Sequence, residues 1–125
     1  EILALLVDVA SSEATGIRVD FFGAPALVSP AAARIALRTN AWVMPAVVLR
    51  GPEDDVEIRP IIDTSLRDFT PTGDEARDVR ELTRLIMQSM EKTIRQHPDQ
   101  WFIFRRLWNN TATAPASADT LAEGV

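Results

Sequence analysis

Two short segments combine residue types that could bind a lipid or an anion. The first runs from Val19 to Ala26 (VDFFGAPA) and is followed by Ser29-Pro30. Its adjacent aromatic residues, Phe21 and Phe22, are costly to leave in water. The segment is either a strand end that packs under the following helix, or an apolar wall beside a helix N-terminus whose free N–H groups hold an anion.

The second segment, Pro98 to Trp108 (PDQWFIFRRLW), sets two arginines among aromatic residues. Arg105 and Arg106 suit a surface that meets anionic headgroups and acyl chains at once. The alternative is an amphipathic end-piece whose arginines pair with nearby acids. Because adjacent helical positions point about 100° apart, we expect one arginine to pair inside the fold, with an acid such as Asp8 or Asp20, and the other to meet a headgroup or phosphate.

Patterns for the common catalytic chemistries are absent from the sequence. It has neither a glycine-rich phosphate loop nor a Gly-x-Ser-x-Gly elbow. Its one histidine, His97, precedes Pro98 at a predicted helix end, where a surface or capping role is more common than catalysis. There is no cysteine and no cluster of metal ligands, so neither a metal site nor a cofactor is predicted.

The composition limits the remaining classes of protein. The 125 residues carry a net charge of −5, which argues against broad nucleic-acid binding. The length fits one small domain, and no apolar run reaches the roughly 20 residues that span a bilayer. Because the chain starts one residue before a predicted core strand, and without Met, we expect it to be a fragment of a longer protein.

The strands that must position these residues follow from the apolar pattern. They are predicted at Ile2–Val9, buried on both faces, at Ile17–Phe21, half-exposed and ended by Gly23 and Pro25, and at Trp42–Leu49 and Val56–Ile62, paired as a hairpin. Proline cannot donate to a ladder, so Pro45 is predicted at a strand edge or bulge.

Two helices are predicted between and after these strands. Ser29-Pro30 starts the first, which runs from Ala31 to Arg38, and Asn40 closes it. Thr72 to Glu75 has capping-box spacing and precedes a long amphipathic helix that His97-Pro98 ends. The order predicts an α/β fold with a mixed, mostly parallel sheet and flanking helices over residues 1–110, followed by a disordered tail over residues 111–125.

The motifs occur in an order that resembles a known family. They are Leu6-Val7-Asp8, Gly16 to Ala26, Ala36-Leu37-Arg38-Thr39, Val43-Met44-Pro45, Ile94 to Trp101, and Arg105-Arg106. This is similar to the bacterial lipid A biosynthesis (lauroyl/myristoyl) acyltransferases and their phosphatidylinositol mannoside acyltransferase relatives. The sequence departs from the family pattern at Val28-Ser29-Pro30 and at Phe104.

The resemblance implies a function, a fold and a set of site residues. The chain would be the C-terminal half of a glycerolipid-acyltransferase-like domain that moves a fatty acyl group from an acyl-carrier protein or acyl-CoA to a glycolipid hydroxyl. The reaction would take place on the cytoplasmic face of the inner membrane. The residues implied to bind substrate or support the site are Asp8, Phe21, Phe22, Gly23, Pro45, Arg105 and Arg106.

The resemblance also implies what the chain lacks. The family's His-x₄-Asp pair takes the proton from the acceptor hydroxyl, and this sequence does not contain it, since the fifth residue after His97 is Phe102. We therefore expect the isolated chain to be inactive. Two alternatives stay open: an inositol-mannoside acceptor in place of a lipid A precursor, and a non-catalytic module that binds lipid or protein.

Overall fold

The computed structural model describes residues 1–9, 11–52, 57–103 and 106–108. It contains four short strands and two α-helices. In chain order these are β1 (Ile17–Phe21), β2 (Ala24–Val28), α1 (Ala31–Thr39), β3 (Ala46–Arg50), β4 (Ile58–Ile62) and α2 (Glu75–Gln96). Single 3₁₀ turns lie at Ser65–Asp68 and Pro98–Gln100.

The sheet prediction was wrong. The described strands form two separate two-stranded sheets, β1–β2 and β3–β4, and both are antiparallel, so there is no mixed, mostly parallel sheet. Each pair is joined by a connection of a few residues, which can only reverse the chain. Parallel pairing needs a crossover of a dozen or more residues, usually a helix.

The predicted strand at Ile2–Val9 is also absent. The structure has no strand there, and Ile2 and Leu6 are 95% and 82% exposed. An apolar run predicts burial on both faces, but a buried strand also needs neighbours for its backbone N–H and C=O groups. No described backbone group pairs with this run.

The first hairpin, β1–β2, extends the single strand that the sequence predicted. Gly23 lies in its turn as expected, but Pro25 lies inside β2, opposite Asp20. Phe21 faces Ala24 across a two-residue turn and forms the hydrogen-bonded pair, so the next pair is not hydrogen-bonded. Pro25 therefore lacks an N–H at a position where the ladder does not need one.

The first helix, α1, forms almost as predicted. Asn40 adopts the left-handed conformation, with φ of 52°, and its N–H donates to the carbonyl of Ala36. At the other end Pro30 is the N-cap rather than the first helical residue. Ser29 Oγ accepts a hydrogen bond from the Ala31 N–H at 3.3 Å.

The second helix, α2, ends at the predicted His97 but starts differently. Asp74, not Thr72, is the N-cap, and its side chain accepts from the Arg77 N–H. Thr72 donates instead to the buried carboxylate of Asp78, through its N–H at 3.0 Å and its Oγ1 at 2.7 Å. These bonds lower the pKa of Asp78, with the Thr72 N–H contributing most.

The apolar side of α2 organises two core clusters. One joins α2 to α1 and consists of Ala33, Ala36, Val79, Leu82 and Ile86. The other joins α2 to the first hairpin and to the segment after α2, and consists of Val19, Phe21, Ala26, Val28, Met87, Ile94 and Leu107. No helix among the described residues is long and apolar enough to cross a membrane. The predicted tail lies outside the described residues.

Candidate functional site

Four aromatic rings from two distant parts of the chain meet at the turn of the first hairpin. Phe21 and Phe22 contact each other edge-on with ring centroids 4.7 Å apart. Trp108 stacks on Phe21 at 5.7 Å, and Trp101 stacks on Phe22 at 5.9 Å. Phe21 is fully buried, whereas the other three rings are only partly buried. We call these four residues the aromatic cluster.

The turn that carries Phe22 has an unusual backbone. Phe22 has φ of 52° and Gly23 has φ of 78°, and positive φ at both central residues is what a type I′ hairpin turn requires. Glycine adopts this conformation freely, but a bulky residue there costs about 1–2 kcal/mol. The surrounding contacts of Phe22 must offset that cost.

A carboxylate and a guanidinium from α2 hold Phe22 in place. Glu91 Oε2 accepts from the Phe22 N–H at 2.9 Å, and Glu91 Oε1 accepts from Arg95 at 2.6 Å. Arg95 also lies over the Phe22 ring, 4.9 Å from its centroid. The Phe22 N–H, and then Arg95, lower the pKa of Glu91, so this carboxylate stays ionised and is a weak proton acceptor.

The C-terminal segment of the described chain closes the site from the other side. The Leu107 carbonyl accepts from the Leu27 N–H at 2.9 Å, on the edge of β2 that faces away from β1. Trp108 Nε1 donates to the Phe21 carbonyl at 3.0 Å. Trp101 Nε1 donates to Asp8 at 3.3 Å, which brings the N-terminal segment to the same place.

The sequence model of the bacterial lipid A biosynthesis acyltransferases matches residues 1–110. The chain belongs to this family. No curated protein matches the chain. Membership of this family indicates a function of the lipid A acyltransferase type. A site for that chemistry must bind an acyl donor and a lipid acceptor.

The structure brings together four of the seven residues that the lipid A acyltransferase resemblance implied. Phe21, Phe22 and Gly23 form the turn at the aromatic cluster, and Asp8 reaches it through Trp101. Asp8 therefore accepts a hydrogen bond from an indole, and a pairing of Asp8 with Arg105 lies outside the described residues.

Pro45 and Arg106 make no ring contact or hydrogen bond with the aromatic cluster among the described residues, and Arg105 lies outside the described residues. Pro45 lies just before β3, where its carbonyl accepts from the Asp63 N–H at 2.8 Å. Pro45 and the cluster lie at opposite ends of β3. The end near the cluster is Arg50, whose backbone N–H donates to the side chain of Gln100. The five residues of the strand separate the two ends by roughly 16 Å. Arg106 is exposed and makes no hydrogen bond or ion pair with described residues.

Two residues of the site were missed at the sequence level. Glu91 and Arg95 read only as members of the polar side of α2. Their spacing of four residues predicts an ion pair, and one forms. Nothing local indicates that Glu91 also accepts from a backbone N–H that lies 69 residues away in sequence.

The described part of the cluster offers apolar contact and fixed charges but no evident general base. His97 caps the C-terminus of α2, and its N–H donates to the carbonyls of Thr93 and Ile94. No group of metal ligands occurs among the described residues. A separate shallow groove, lined by Leu37, Val43, Leu66 and Phe69, contains none of the predicted site residues. The arrangement suits holding and orienting a substrate rather than moving its proton.

Proposed function

We propose that this chain supplies the acyl-chain side of an acyltransferase site. In that site a fatty acyl group moves from a carrier thioester to a hydroxyl of a glycolipid of the lipid A precursor type. The observation that carries the proposal is the partly exposed pair of stacked rings, Phe22 and Trp101, with the ion pair of Glu91 and Arg95 at its rim. Flat aromatic surfaces bind methylene chains, and a cation at the rim suits an anionic headgroup.

The surrounding bonds give each ring a fixed position. Asp8 holds the indole of Trp101, and Glu91 holds the backbone of Phe22. A binding surface that is already ordered loses less entropy when a substrate binds. Asp8 and Glu91 are proposed to position the site, because both already accept hydrogen bonds from residues of the cluster.

The proton of the acceptor hydroxyl is proposed to go to the His-x₄-Asp pair of the family, not to a residue of this chain. Residues 1–110 would then form the C-terminal part of the acyltransferase domain, with Arg105 and Arg106 beside the aromatic cluster. The domain would act at the cytoplasmic face of the inner membrane.

The test compares Trp101→Leu with Phe102→Leu in the full-length protein. Phe102 is the adjacent aromatic residue, is 67% exposed and contacts no other ring among the described residues. Acyl transfer to a lipid A precursor is measured with thioesters of increasing acyl length. We expect Trp101→Leu to lower kcat/KM about tenfold or more for long acyl groups and less for short ones, because the lost apolar contact scales with chain length.

Two results would contradict the proposal. One is a Trp101→Leu loss that is equal at every acyl length, which indicates general damage to the fold. The other is a similar loss in Phe102→Leu. Repeating the assay with a phosphatidylinositol mannoside acceptor tests the second acceptor class, and preferential turnover of that acceptor would replace the lipid A precursor.

A non-catalytic lipid-binding module remains the second candidate. The observation in its favour is a group of exposed apolar side chains around the second hairpin, namely Trp42, Met44, Val48, Ile58 and Ile62. Full-length protein that binds vesicles but transfers no acyl group from any thioester would support this candidate over the enzyme.

A further inference from the structure

The solvent side of α2 carries an ordered row of cations. Arg77, Arg84 and Arg95 are separated by 7 and 11 residues, so they lie within about 20° of one another around the helix. The row is about 27 Å long at 1.5 Å per residue. Arg80 and Lys92 flank it on either side. We call these five residues the basic face of α2.

This face differs in charge from the rest of the chain. It holds five of the 13 Lys and Arg residues, together with two carboxylates, Glu81 and Glu91. The chain as a whole has a net charge of −5, so the positive charge is concentrated on one side of one helix. Four of the five cationic residues are exposed, and Arg84 is partly buried.

The composition of the face indicates the chemistry of its partner. None of the exposed large apolar residues belongs to α2, so the face has nothing to insert into a bilayer and no ring on which a base could stack. The two carboxylates within the row would repel a continuous array of phosphates. A face of discrete cations with a few acids matches an acidic protein surface that carries a few bases.

Two of the cations are held by bonds that a partner could replace. Arg84 pairs with Glu81 at 2.7 Å and Arg95 pairs with Glu91 at 2.6 Å, and the two arginine side chains are 42% and 59% exposed. Exposed pairs of this kind contribute little to the stability of the fold. Their charges therefore remain available to steer an approaching acidic protein.

The C-terminal end of the basic face adjoins the aromatic cluster. Arg95 lies over the Phe22 ring, and Glu91 bonds the Phe22 N–H. A protein bound along this row would therefore have one end beside Phe22 and Trp101.

We propose that the basic face of α2 docks the acidic face of an acyl carrier protein and so directs its thioester towards the aromatic cluster. This rests on the proposed acyl transfer and adds the location and nature of the donor's binding surface. It assigns the carrier protein, rather than a membrane surface, to this helix.

The test is a charge reversal, Arg77→Glu with Arg84→Glu, in the full-length protein. The matched control is Arg34→Glu with Arg59→Glu, which changes the net charge by the same amount. In each pair one arginine makes no side-chain hydrogen bond or ion pair with described residues, and the other is in an exposed pair with a nearby glutamate. None of the four residues belongs to the aromatic cluster.

Acyl transfer is measured with one acyl group on two donors, an acyl carrier protein and uncharged acyl-pantetheine. We expect the α2 variant to raise the KM for the carrier-linked donor roughly tenfold or more with kcat nearly unchanged, because charges at an interface act mainly on association. The KM for acyl-pantetheine should not change, and the control variant should behave as wild type with both donors.

Direct binding separates this inference from the proposed function. The affinity for the carrier protein is measured without turnover, over a range of salt concentrations. Weaker, less salt-dependent binding by the α2 variant alone supports docking even if the protein transfers no acyl group. Wild-type carrier affinity in the α2 variant overturns the proposal, as does an equal loss in the control. Lost binding to phosphatidylglycerol vesicles with carrier binding intact would assign the face to a membrane instead.

Discussion

The two hairpins of this chain have the same size and the same antiparallel topology, but they are held to the rest of the molecule by different forces. The first hairpin buries Val19, Phe21 and Val28 against α2 and the C-terminal segment. Among the described residues of the second hairpin only Leu49 is buried, and every residue of β4 is exposed. This hairpin is attached mainly by polar bonds near its ends.

Hydrogen bonds at the two ends of the second hairpin attach it to α2 and to the segment after α2. Gln100 pairs its side-chain amide with the backbone of Arg50, accepting at 2.7 Å and donating at 3.3 Å, much as another strand would. Asp63, which follows β4, accepts from Ser89 of α2 at 2.5 Å. The comparison teaches that strand-like sequence alone does not decide burial. The first hairpin is buried because an apolar helix face and two tryptophans lie against it.

The largest predicted effect is the difference in stability lost when a buried side chain of the first hairpin or an exposed side chain of the second is truncated. Phe21→Ala should destabilise the chain by about 3–5 kcal/mol, because a fully buried aromatic ring leaves a cavity and breaks the cluster. Val48→Ala in the second hairpin, where the side chain is 63% exposed, should change stability by less than about 0.5 kcal/mol. Urea unfolding of both variants measures this difference. Equal losses would show that the two hairpins are packed alike.

The next effect tests the polar attachment of the second hairpin and depends on pH. Hydrogen bonds from Ser65 and then Ser89 lower the pKa of Asp63 to about 2. A lowered pKa stabilises the fold above the unfolded value of about 3.9, and that stabilisation is lost as the pH falls towards 2. Ser89→Ala should raise the Asp63 pKa and cost about 1–2 kcal/mol at pH 7.

NMR titration of the Asp63 carboxyl group and unfolding at several pH values measure both consequences. Lys92→Gln serves as the control, because Lys92 contributes least among the named causes and should shift the pKa less. A Ser89→Ala variant that is equally destabilised at pH 7 and below pH 2 would rule out the carboxylate as the source.

A smaller effect concerns the turn of the first hairpin. Gly23→Ala should cost about 1 kcal/mol through backbone strain at φ of 78°, since nothing lies within 4 Å of the added methyl group. Thermal unfolding measures this cost. An unchanged stability would mean that the turn relaxes away from positive φ and that the hydrogen bond from the Phe22 N–H to Glu91 is lost.

The smallest effect concerns the amide pair at β3. Gln100→Ala removes two exposed hydrogen bonds and should cost about 0.5–1 kcal/mol. Hydrogen exchange at the Arg50 amide should accelerate while exchange in the first hairpin stays unchanged. Gln96→Ala, an exposed glutamine at the end of α2, is the control. Faster exchange in both hairpins would show that they open together.

Local patterns predicted the two helices and the pairing of the second hairpin, but β3 begins at Ala46 and not at the predicted Trp42. The 3.6-residue apolar repeat identified α2, and Asn40 marked the end of α1. Long-range arrangement was beyond these patterns. The apolar run at Ile2–Val9 predicted burial but did not identify a partner strand. Pro25 was predicted to end a strand, because the sequence does not show which positions of a ladder lack hydrogen bonds.

The candidate site could be predicted only in part from the sequence, for the same reason. Phe21, Phe22 and Trp101 stand out as costly to expose, so their segments could be selected from the sequence. Their meeting depends on Leu107 reaching Leu27, a contact across most of the described chain. Glu91 joins the site through a backbone N–H, which carries no side-chain signature.

The link between Leu27 and Leu107 also fixes the order in which the site can be completed. During synthesis, β1, β2 and Phe22 emerge from the ribosome long before Trp101 and Trp108. Until then the first hairpin has neither its stacking partners nor the backbone acceptor at its outer edge. Contacts this distant in sequence form slowly, and partly folded chains with exposed rings and strand edges aggregate readily. The aromatic cluster is therefore exposed to misassembly until Trp101 and Trp108 have been synthesised.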